Sequence, residues 1–198
     1  MSTHPAVREW TYAEFARLPD DGNRYEVIAG ELYVTPAPGR FHQKVSARLV
    51  HLLEAFCQEH GAGEVYAAPF DVIFAKGDYV EPDLVFVRAE NADAVLDDRG
   101  VVGTPDLIVE ILSDSTELRD RGIKRERYAG YGVPEYWIVD ADEKQVEVYR
   151  LIFDELRRVA VEDDALRYRP TPGGPELVID VQHLFRPAND YTKPRFTS

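Results

Sequence analysis

Residues 107–112 read Leu-Ile-Val-Glu-Ile-Leu, an almost continuous apolar run that a single carboxylate, Glu110, interrupts. A run of this length predicts a strand that is covered on both faces, as in a sheet with helices packed against it. An ionised carboxylate is costly to bury alone, so Glu110 must be paired with a cation, bound to a metal or placed at a sheet edge. The run therefore predicts a layered α/β protein and marks Glu110 as a candidate functional residue, with a structural ion pair as the alternative.

The composition predicts a single soluble domain. A chain of 198 residues with 44% hydrophobic and 30% charged residues is typical of one globular domain, residues 1–198, with residues 187–198 as a polar tail. The net charge of −13 argues against a protein that coats nucleic acid with its whole surface, but it permits a local basic groove. The single cysteine, Cys57, excludes an internal disulfide, and no apolar run approaches a membrane span of about 18 residues. We therefore expect a cytoplasmic protein that does not enter the membrane.

Hydrophobic periodicity predicts a central mixed sheet flanked by helices. Thr11 and Glu14 have the spacing of a capping box, so a short helix begins there. Two β-prone runs around Ala29 and Gly30 predict an N-terminal hairpin. The remaining predicted elements are a helix over residues 41–60, strands over 64–74, 83–87 and 107–112, a helix from about 114 to 131, and paired strands over 136–140 and 145–151.

A second carboxylate, Asp83, opens the apolar strand at residues 83–87, where a side chain can reach a cleft at the sheet edge. A plain turn aspartate is the alternative, and Glu81 is an equally good ligand. Asp83 and Glu110 on neighbouring strands could share one hard divalent cation through oxygen ligands. A lysine from the following basic helix, residues 119–127, could point at the same spot unless that helix face is simply solvated. Carboxylates, a metal ion and an ammonium group are what phosphodiester hydrolysis requires.

Basic residues on the predicted helix over residues 41–60 and just before it suggest contacts to nucleic acid. Arg40, Lys44 and Arg48 recur at intervals of four residues and form a stripe that could hold backbone phosphates. His42 lies at the start of the same helix, where a plain polar residue is the alternative interpretation.

Several short motifs together resemble the Uma-two family of bacterial proteins, which belongs to the PD-(D/E)xK restriction-endonuclease-like superfamily. The matching segments are residues 25–32, Pro82-Asp83, residues 109–113, Lys124 and residues 132–140. The resemblance covers about residues 9–185 and implies a restriction-endonuclease-like αβββαβ core, a bound Mg²⁺ or Mn²⁺ and DNA endonuclease activity. It implies metal-binding roles for Asp83 and Glu110, with Ile111 offering its backbone carbonyl, and a homodimer because duplex cleavage usually needs two sites.

One departure concerns the catalytic lysine. The superfamily pattern has lysine two residues after the glutamate, where this chain has Leu112, and the resemblance implies that Lys124 on the following helix replaces it. Glu31 is a further catalytic candidate, or Glu26 fills that role instead. His42 is expected to touch phosphate or a water molecule on the metal.

Two other classes of function stay open from the sequence. A catalytically silent interaction module with the nuclease fold would explain the acidic composition and the missing motif lysine, since fold does not guarantee activity. A glycosidase could use Asp83 and Glu110 as acid and base, although the chain lacks an aromatic-rich sugar platform. The prediction is a metal-dependent phosphodiester hydrolase that acts on DNA.

Overall fold

The computed structural model describes residues 10–75 and 77–187. Its helices are α1 (Tyr12–Phe15), α2 (Arg40–His60), α3 (Ala89–Val95), α4 (Glu117–Arg119), α5 (Arg125–Gly130) and α6 (Val181–Phe185). Its strands are β1 (Arg24–Ile28), β2 (Glu31–Thr35), β3 (Gly63–Ala67), β4 (Asp71–Ala75), β5 (Asp78–Val80), β6 (Leu84–Arg88), β7 (Leu96–Asp97), β8 (Gly100–Val102), β9 (Leu107–Ile111), β10 (Glu135–Asp140), β11 (Gln145–Ile152), β12 (Glu155–Glu162), β13 (Ala165–Tyr168) and β14 (Leu177–Asp180).

The central sheet has the strand order β12-β11-β10-β9-β6-β3. Strands β9 and β10 are parallel, and the other neighbours in this sheet are antiparallel. Along the chain, the core elements come in the order α2, β3, β6, β9, the α4–α5 segment and β10, with other elements inserted between β3 and β6 and between β6 and β9. This order is the predicted αβββαβ core, and the fold class is therefore confirmed.

Both faces of the central sheet are covered, as the apolar run at residues 107–112 predicted. Val45 and Leu49 of α2 pack with Val109 on one face, and Tyr128 of α5 packs with Ile108 on the other. Every residue of β9 is buried, including Glu110. The apolar stripe of α2 and the two-sided burial of β9 thus fix where the central sheet lies.

The structure also contains a second six-stranded sheet, in the order β2-β1-β5-β4-β8-β7. The sequence analysis predicted only one central sheet and did not include this second one. The predicted hairpin is confirmed as β1 and β2, which pair across Ala29 and Gly30, both at positive φ. The single strand predicted over residues 64–74 is wrong, because β3 joins the central sheet and β4 joins the second one. Pro69 lies between them, and a proline cannot donate to a ladder within one continuous strand.

The helix predicted from residue 114 to 131 is interrupted. Between α4 and α5 the chain makes a π turn over Asp120–Lys124, and Gly122 within it has non-helical angles of φ −104° and ψ −106°. Asp120 precedes this glycine and Lys124 follows it, and both side chains are buried. The interruption therefore directs two charged side chains into the protein, where a regular amphipathic helix would present polar residues to water.

The C-terminal part of the chain adds β12 to the edge of the central sheet and pairs β13 with β14. Strand β12 was not predicted from the sequence. A register shift opposite Val148 and Tyr149 interrupts the alternation of apolar and polar residues along this strand. The predicted tail lies, apart from Pro187, outside the described residues. Within those residues, no helix combines the length and the apolar character that a bilayer crossing requires.

Candidate active site

Two buried carboxylates meet where β6 and β9 run side by side. Leu84 pairs with Val109 in antiparallel register, which puts Asp83, the residue before β6, opposite Glu110. The two residues are only 3% and 2% exposed, respectively. The backbone N–H of Ile111 donates to Asp83 Oδ2 at 2.7 Å. The structure therefore brings together the two carboxylates on which the sequence interpretation depends.

The first strand and the long helix supply the partners of Asp83. Arg24 Nη1 of β1 donates to Asp83 Oδ1 at 2.7 Å, and His42 Nε2 of α2 lies 3.0 Å from Oδ2. Burial opposes ionisation of this carboxyl, but the hydrogen bond with His42 and the charge of Arg24 hold its pKa below the ordinary value. Asp83 is therefore held as a carboxylate with a fixed orientation.

The ammonium group of Lys124 joins Glu110 to a third carboxylate. Lys124 Nζ lies 2.8 Å from Glu110 Oε1 and 2.8 Å from Glu26 Oε1. Tyr128, four residues after the lysine, donates to the same Glu110 oxygen at 2.8 Å. Both bonds fall on Glu110 Oε1, and among the described residues no hydrogen bond to its second oxygen, Oε2, is found.

The cluster holds more negative than positive charge. Asp120 Oδ1 lies 3.5 Å from the same ammonium, so Lys124 faces three carboxylates. Burial raises the pKa of Glu110 above its ordinary value, against the attraction of Lys124. Burial would lower the pKa of Lys124, but the charges of Glu110 and Glu26 raise it above its ordinary value. Arg119 Nη2 lies 3.5 Å from Glu26 Oε2, so two cations face these three carboxylates, and a further cation would relieve the remaining repulsion.

The donor set fits a hard divalent cation. The described residues contain no group of three or more histidine, cysteine, aspartate or glutamate side chains arranged to hold a metal ion. Mg²⁺, however, is commonly held by one or two carboxylates while water and substrate oxygens complete its shell. Asp83 and Glu110 supply that number, and the buried Glu26 Oε2, which accepts no hydrogen bond within the described structure, lies 3.5 Å from Arg119 Nη2. An all-oxygen set of this kind suits Mg²⁺ or Mn²⁺ rather than zinc.

A cavity of about 120 Å³ gives access to these groups. Residues 35–39, which run from the last residue of β2 to the start of α2, form one wall, and the loop containing Ser113, Ser115 and Thr116 forms another. Arg119 also lines the cavity, and its Nη2 donates to Thr35 Oγ1 at 2.7 Å. Its buried Nε has no hydrogen-bond partner among the residues described. The wall therefore presents hydroxyl groups and a guanidinium donor, which suit a phosphate oxygen.

The three residues of the predicted basic stripe differ in exposure. Arg40 and Lys44 are exposed, and Arg40 lines a groove beside the cavity. Arg48 is 7% exposed, and its Nη1 donates to the carbonyl of Leu184 in α6 at 2.6 Å. Arg48 is thus a buried structural residue, and its predicted contact with nucleic acid is wrong. A spacing of four residues cannot tell a solvated helix face from one that a later helix covers.

Glu31 does not join the cluster. It is exposed beside the hairpin turn, where Tyr33 OH donates to it at 3.0 Å. Glu26, the other candidate from the sequence, is 1% exposed and contacts Lys124. The structure therefore favours Glu26 over Glu31 as the third carboxylate.

Sequence reasoning missed Arg24 and Arg119. Arg24 and Glu26 are two residues apart on one strand and share a face, so choosing Glu26 would have drawn attention to Arg24. Arg119 gave no such signal, because its contacts to Thr35 and Glu26 join segments more than 80 residues apart.

The comparisons with known proteins agree with this fold. A family model described as "Uma2: Putative restriction endonuclease" matches residues 12–182. A crystal structure of a "putative nuclease belonging to DUF820" from Anabaena variabilis is similar, with a TM-score of 0.72 and 19% identity over 89% of this chain and 97% of the other. No curated protein gives a match.

The fold and the paired carboxylates define a protein of the restriction-endonuclease-like class. Because the family model covers most of the chain, this protein belongs to the Uma2 family of restriction-endonuclease-like proteins. The family resemblance drawn from short motifs is thus confirmed.

Proposed function

We propose that this protein is a metal-dependent nuclease that hydrolyses phosphodiester bonds in DNA. The observation that carries the proposal is the position of Asp83 opposite Glu110, with Lys124 Nζ joining Glu110 to Glu26. Membership in a family whose model is described as "Putative restriction endonuclease" supports it. Two carboxylates, a buried ammonium and phosphate donors in one cavity suit hydrolysis of a phosphodiester.

Asp83 and Glu110 would hold the cation, together with the backbone carbonyl of Ile111. When bound, Mg²⁺ would neutralise phosphate charge and make a water molecule more acidic. Arg24 and His42 fix the orientation of the Asp83 carboxylate through their contacts at 2.7 and 3.0 Å. This fixed orientation reduces the reorganisation needed when substrate enters.

Lys124 would place positive charge beside the reacting phosphate. Its contacts to Glu110 and Glu26 are 2.8 Å long, whereas the contact to Asp120 is 3.5 Å. Lys124 lines the cavity, so its ammonium would be within reach of a phosphate oxygen or the attacking water there. Arg119 Nε, which has no partner within the described structure, would donate to a second phosphate oxygen.

Cleavage of supercoiled plasmid at low salt tests the proposal. Wild type, Asp83→Asn and Glu110→Gln are purified identically and assayed with Mg²⁺ and then with Mn²⁺. We expect the wild type to nick or linearise the plasmid and each variant to be slower by about a hundredfold or more. Glu59→Gln, at an exposed position near the end of α2, is the matched control and should keep full activity.

Equal cleavage by every preparation would indicate a contaminating nuclease and contradict the proposal. If no preparation cleaves DNA with either metal, the catalytically silent interaction module becomes the better interpretation. Calorimetry with Mg²⁺ then adds a second criterion, because a silent module that has lost its cation site would release no binding heat.

A further inference from the structure

The groups proposed to act on the phosphodiester lie inside the protein rather than on its surface. Asp83, Glu110 and Lys124 are each at most 3% exposed. The cavity that reaches them holds about 120 Å³, which is space for a phosphate group but not for a stacked base pair. Only a backbone phosphate therefore fits into the cavity, and the bases on either side of it must lie outside.

The cavity is the narrow middle of a longer trough. It shares Gly39, His42 and Ser113 with a groove of about 1070 Å³. It shares Arg24 and Pro38 with a second groove of about 380 Å³. The two grooves and the cavity between them, here called the trough, give one strand a path past the carboxylates.

An exposed aromatic ring lies on the wall of the larger groove. Phe41, in the first turn of α2, is 42% exposed and precedes His42, which contacts Asp83. Arg40, also exposed, lines the same groove. A flat apolar ring beside a cation is what proteins use to stack the unpaired bases of a single strand.

The charge of the protein favours one strand over two. A duplex carries one negative charge per about 1.7 Å of axis, and a single strand carries one per about 3.4 Å. The chain has a net charge of −13, and the larger groove includes Asp114, Asp142 and Glu143, which form no ion pair among the described residues. The repulsion between protein and DNA is therefore greater for a duplex.

We propose that the trough binds single-stranded DNA in preference to duplex, with one base stacked on Phe41 while the adjacent phosphate enters the cavity. This inference rests on the proposed nuclease function and narrows its substrate class. Because one strand needs one site, it makes no use of the homodimer predicted from the sequence.

Fluorescence anisotropy with a labelled 20-nucleotide strand, alone and annealed to its complement, measures the preference. EDTA in the buffer prevents cleavage, so binding is measured separately from catalysis. We expect the full-length wild type to bind the single strand at least tenfold more tightly than the duplex. Phe41→Ala should weaken single-strand binding at least fivefold.

Phe153→Ala is the matched control, because Phe153 is an 88% exposed phenylalanine that does not line the trough. It should bind within twofold of the wild type. Phe41→Leu keeps an apolar side chain without a flat ring, so it should bind as weakly as Phe41→Ala. This second variant keeps the test valid if Phe41→Ala fails to fold.

Tighter binding of the duplex, or equal effects of the Phe41 and Phe153 substitutions, would overturn the inference. Cleavage of both DNA forms with Mg²⁺ separates this failure from that of the proposed function. A nuclease that cuts the duplex faster than the single strand contradicts only the substrate preference. Selective single-strand binding without any cleavage contradicts only the nuclease.

Discussion

Lys124 shows how one residue can link stability to the candidate site. The side chain is 2% exposed, and its ammonium contacts Glu26 and Glu110 at 2.8 Å. A buried ion pair adds little net stability over a well-packed apolar pair, but removing one partner leaves the other charge buried without compensation. The same residue thus supports the fold and supplies the positive charge proposed to meet the phosphate.

Lys124→Met should lower the free energy of unfolding by about 3–5 kcal/mol at pH 7, because Glu26 and Glu110 lose their shared cation. Urea denaturation followed by circular dichroism measures the loss. Arg150→Met is the control, since Arg150 is 53% exposed in its pair with Glu135 and should contribute within about 1 kcal/mol.

Adding Glu110→Gln to Lys124→Met should restore part of the lost stability, because one uncompensated carboxylate is then removed. If Lys124→Met is no more destabilising than Arg150→Met, the buried ammonium does not hold the cluster together. If the double variant is less stable than Lys124→Met alone, charge compensation is the wrong explanation.

The sequence predicted the central residues of the site but not their surroundings. Glu110 was identifiable because a carboxylate inside an apolar strand needs a partner. Lys124 followed from family resemblance, since spacing along the chain gives no reason for it to reach Glu110. Arg24 and Asp83 are 59 residues apart, and only the fold shows that they form a hydrogen bond.

At the scale of secondary structure, hydrophobic periodicity correctly predicted the elements whose burial pattern stays the same along their whole length. Helix α2 has a continuous buried face, and β9 is buried along its whole length, so both patterns were readable. Residues 64–74 form two strands in different sheets, and Pro69 between them marks the end of the first strand but not the change of sheet. The interruption at Gly122 was equally hidden, because one glycine within a helical pattern lowers helix propensity without locating a break.

Helix α2 carries His42 near its start and ends at Gly61, whose φ of +61° is in the left-handed region. A Cβ at Gly61 would meet no atom within 4 Å, so Gly61→Ala changes only backbone preference. We expect it to destabilise the protein by about 1 kcal/mol. Gly130→Ala, at a helical glycine of α5 that also has open space, should stabilise by about 0.5–1 kcal/mol.

Urea midpoints of the two alanine variants measure these opposite effects, and Gly61→Asn should fall between Gly61→Ala and the wild type. Destabilisation by both alanine substitutions would show that side-chain contacts, rather than backbone conformation, dominate at these positions. The comparison tests whether the left-handed residue fixes the end of α2.

At the scale of the whole molecule, an acidic protein has a proposed anionic substrate. The net charge is −13, yet Arg24, Arg40 and Arg119 lie along the trough. Composition predicted that any basic groove would be local, and the stripe on α2 suggested where it would lie. Two further arginines of the trough, Arg121 and Arg158, are paired with Glu147. Arg48 is buried, so the remaining three arginines come from three separate segments rather than from one helix face.

Salt dependence of single-strand binding tests this arrangement. Each neutralised phosphate of a single strand contributes a slope of about −0.7 to log K against log salt concentration. About three trough arginines therefore predict a slope near −2 between 25 and 200 mM NaCl, measured by anisotropy in EDTA. Arg40→Ala should make the slope shallower by about 0.7, because Arg40 lines the trough.

Lys44→Ala removes the same charge from the same helix at an exposed residue that lines none of the trough's cavities, and it should leave the slope unchanged. Equal effects of Lys44→Ala and Arg40→Ala would mean that binding responds to total charge rather than to the trough. A slope of about −5 or steeper would require more phosphate contacts than these arginines provide. A slope near −2 that only Arg40→Ala reduces would mean that a few local contacts and base stacking, rather than a broad basic surface, hold DNA on this acidic protein.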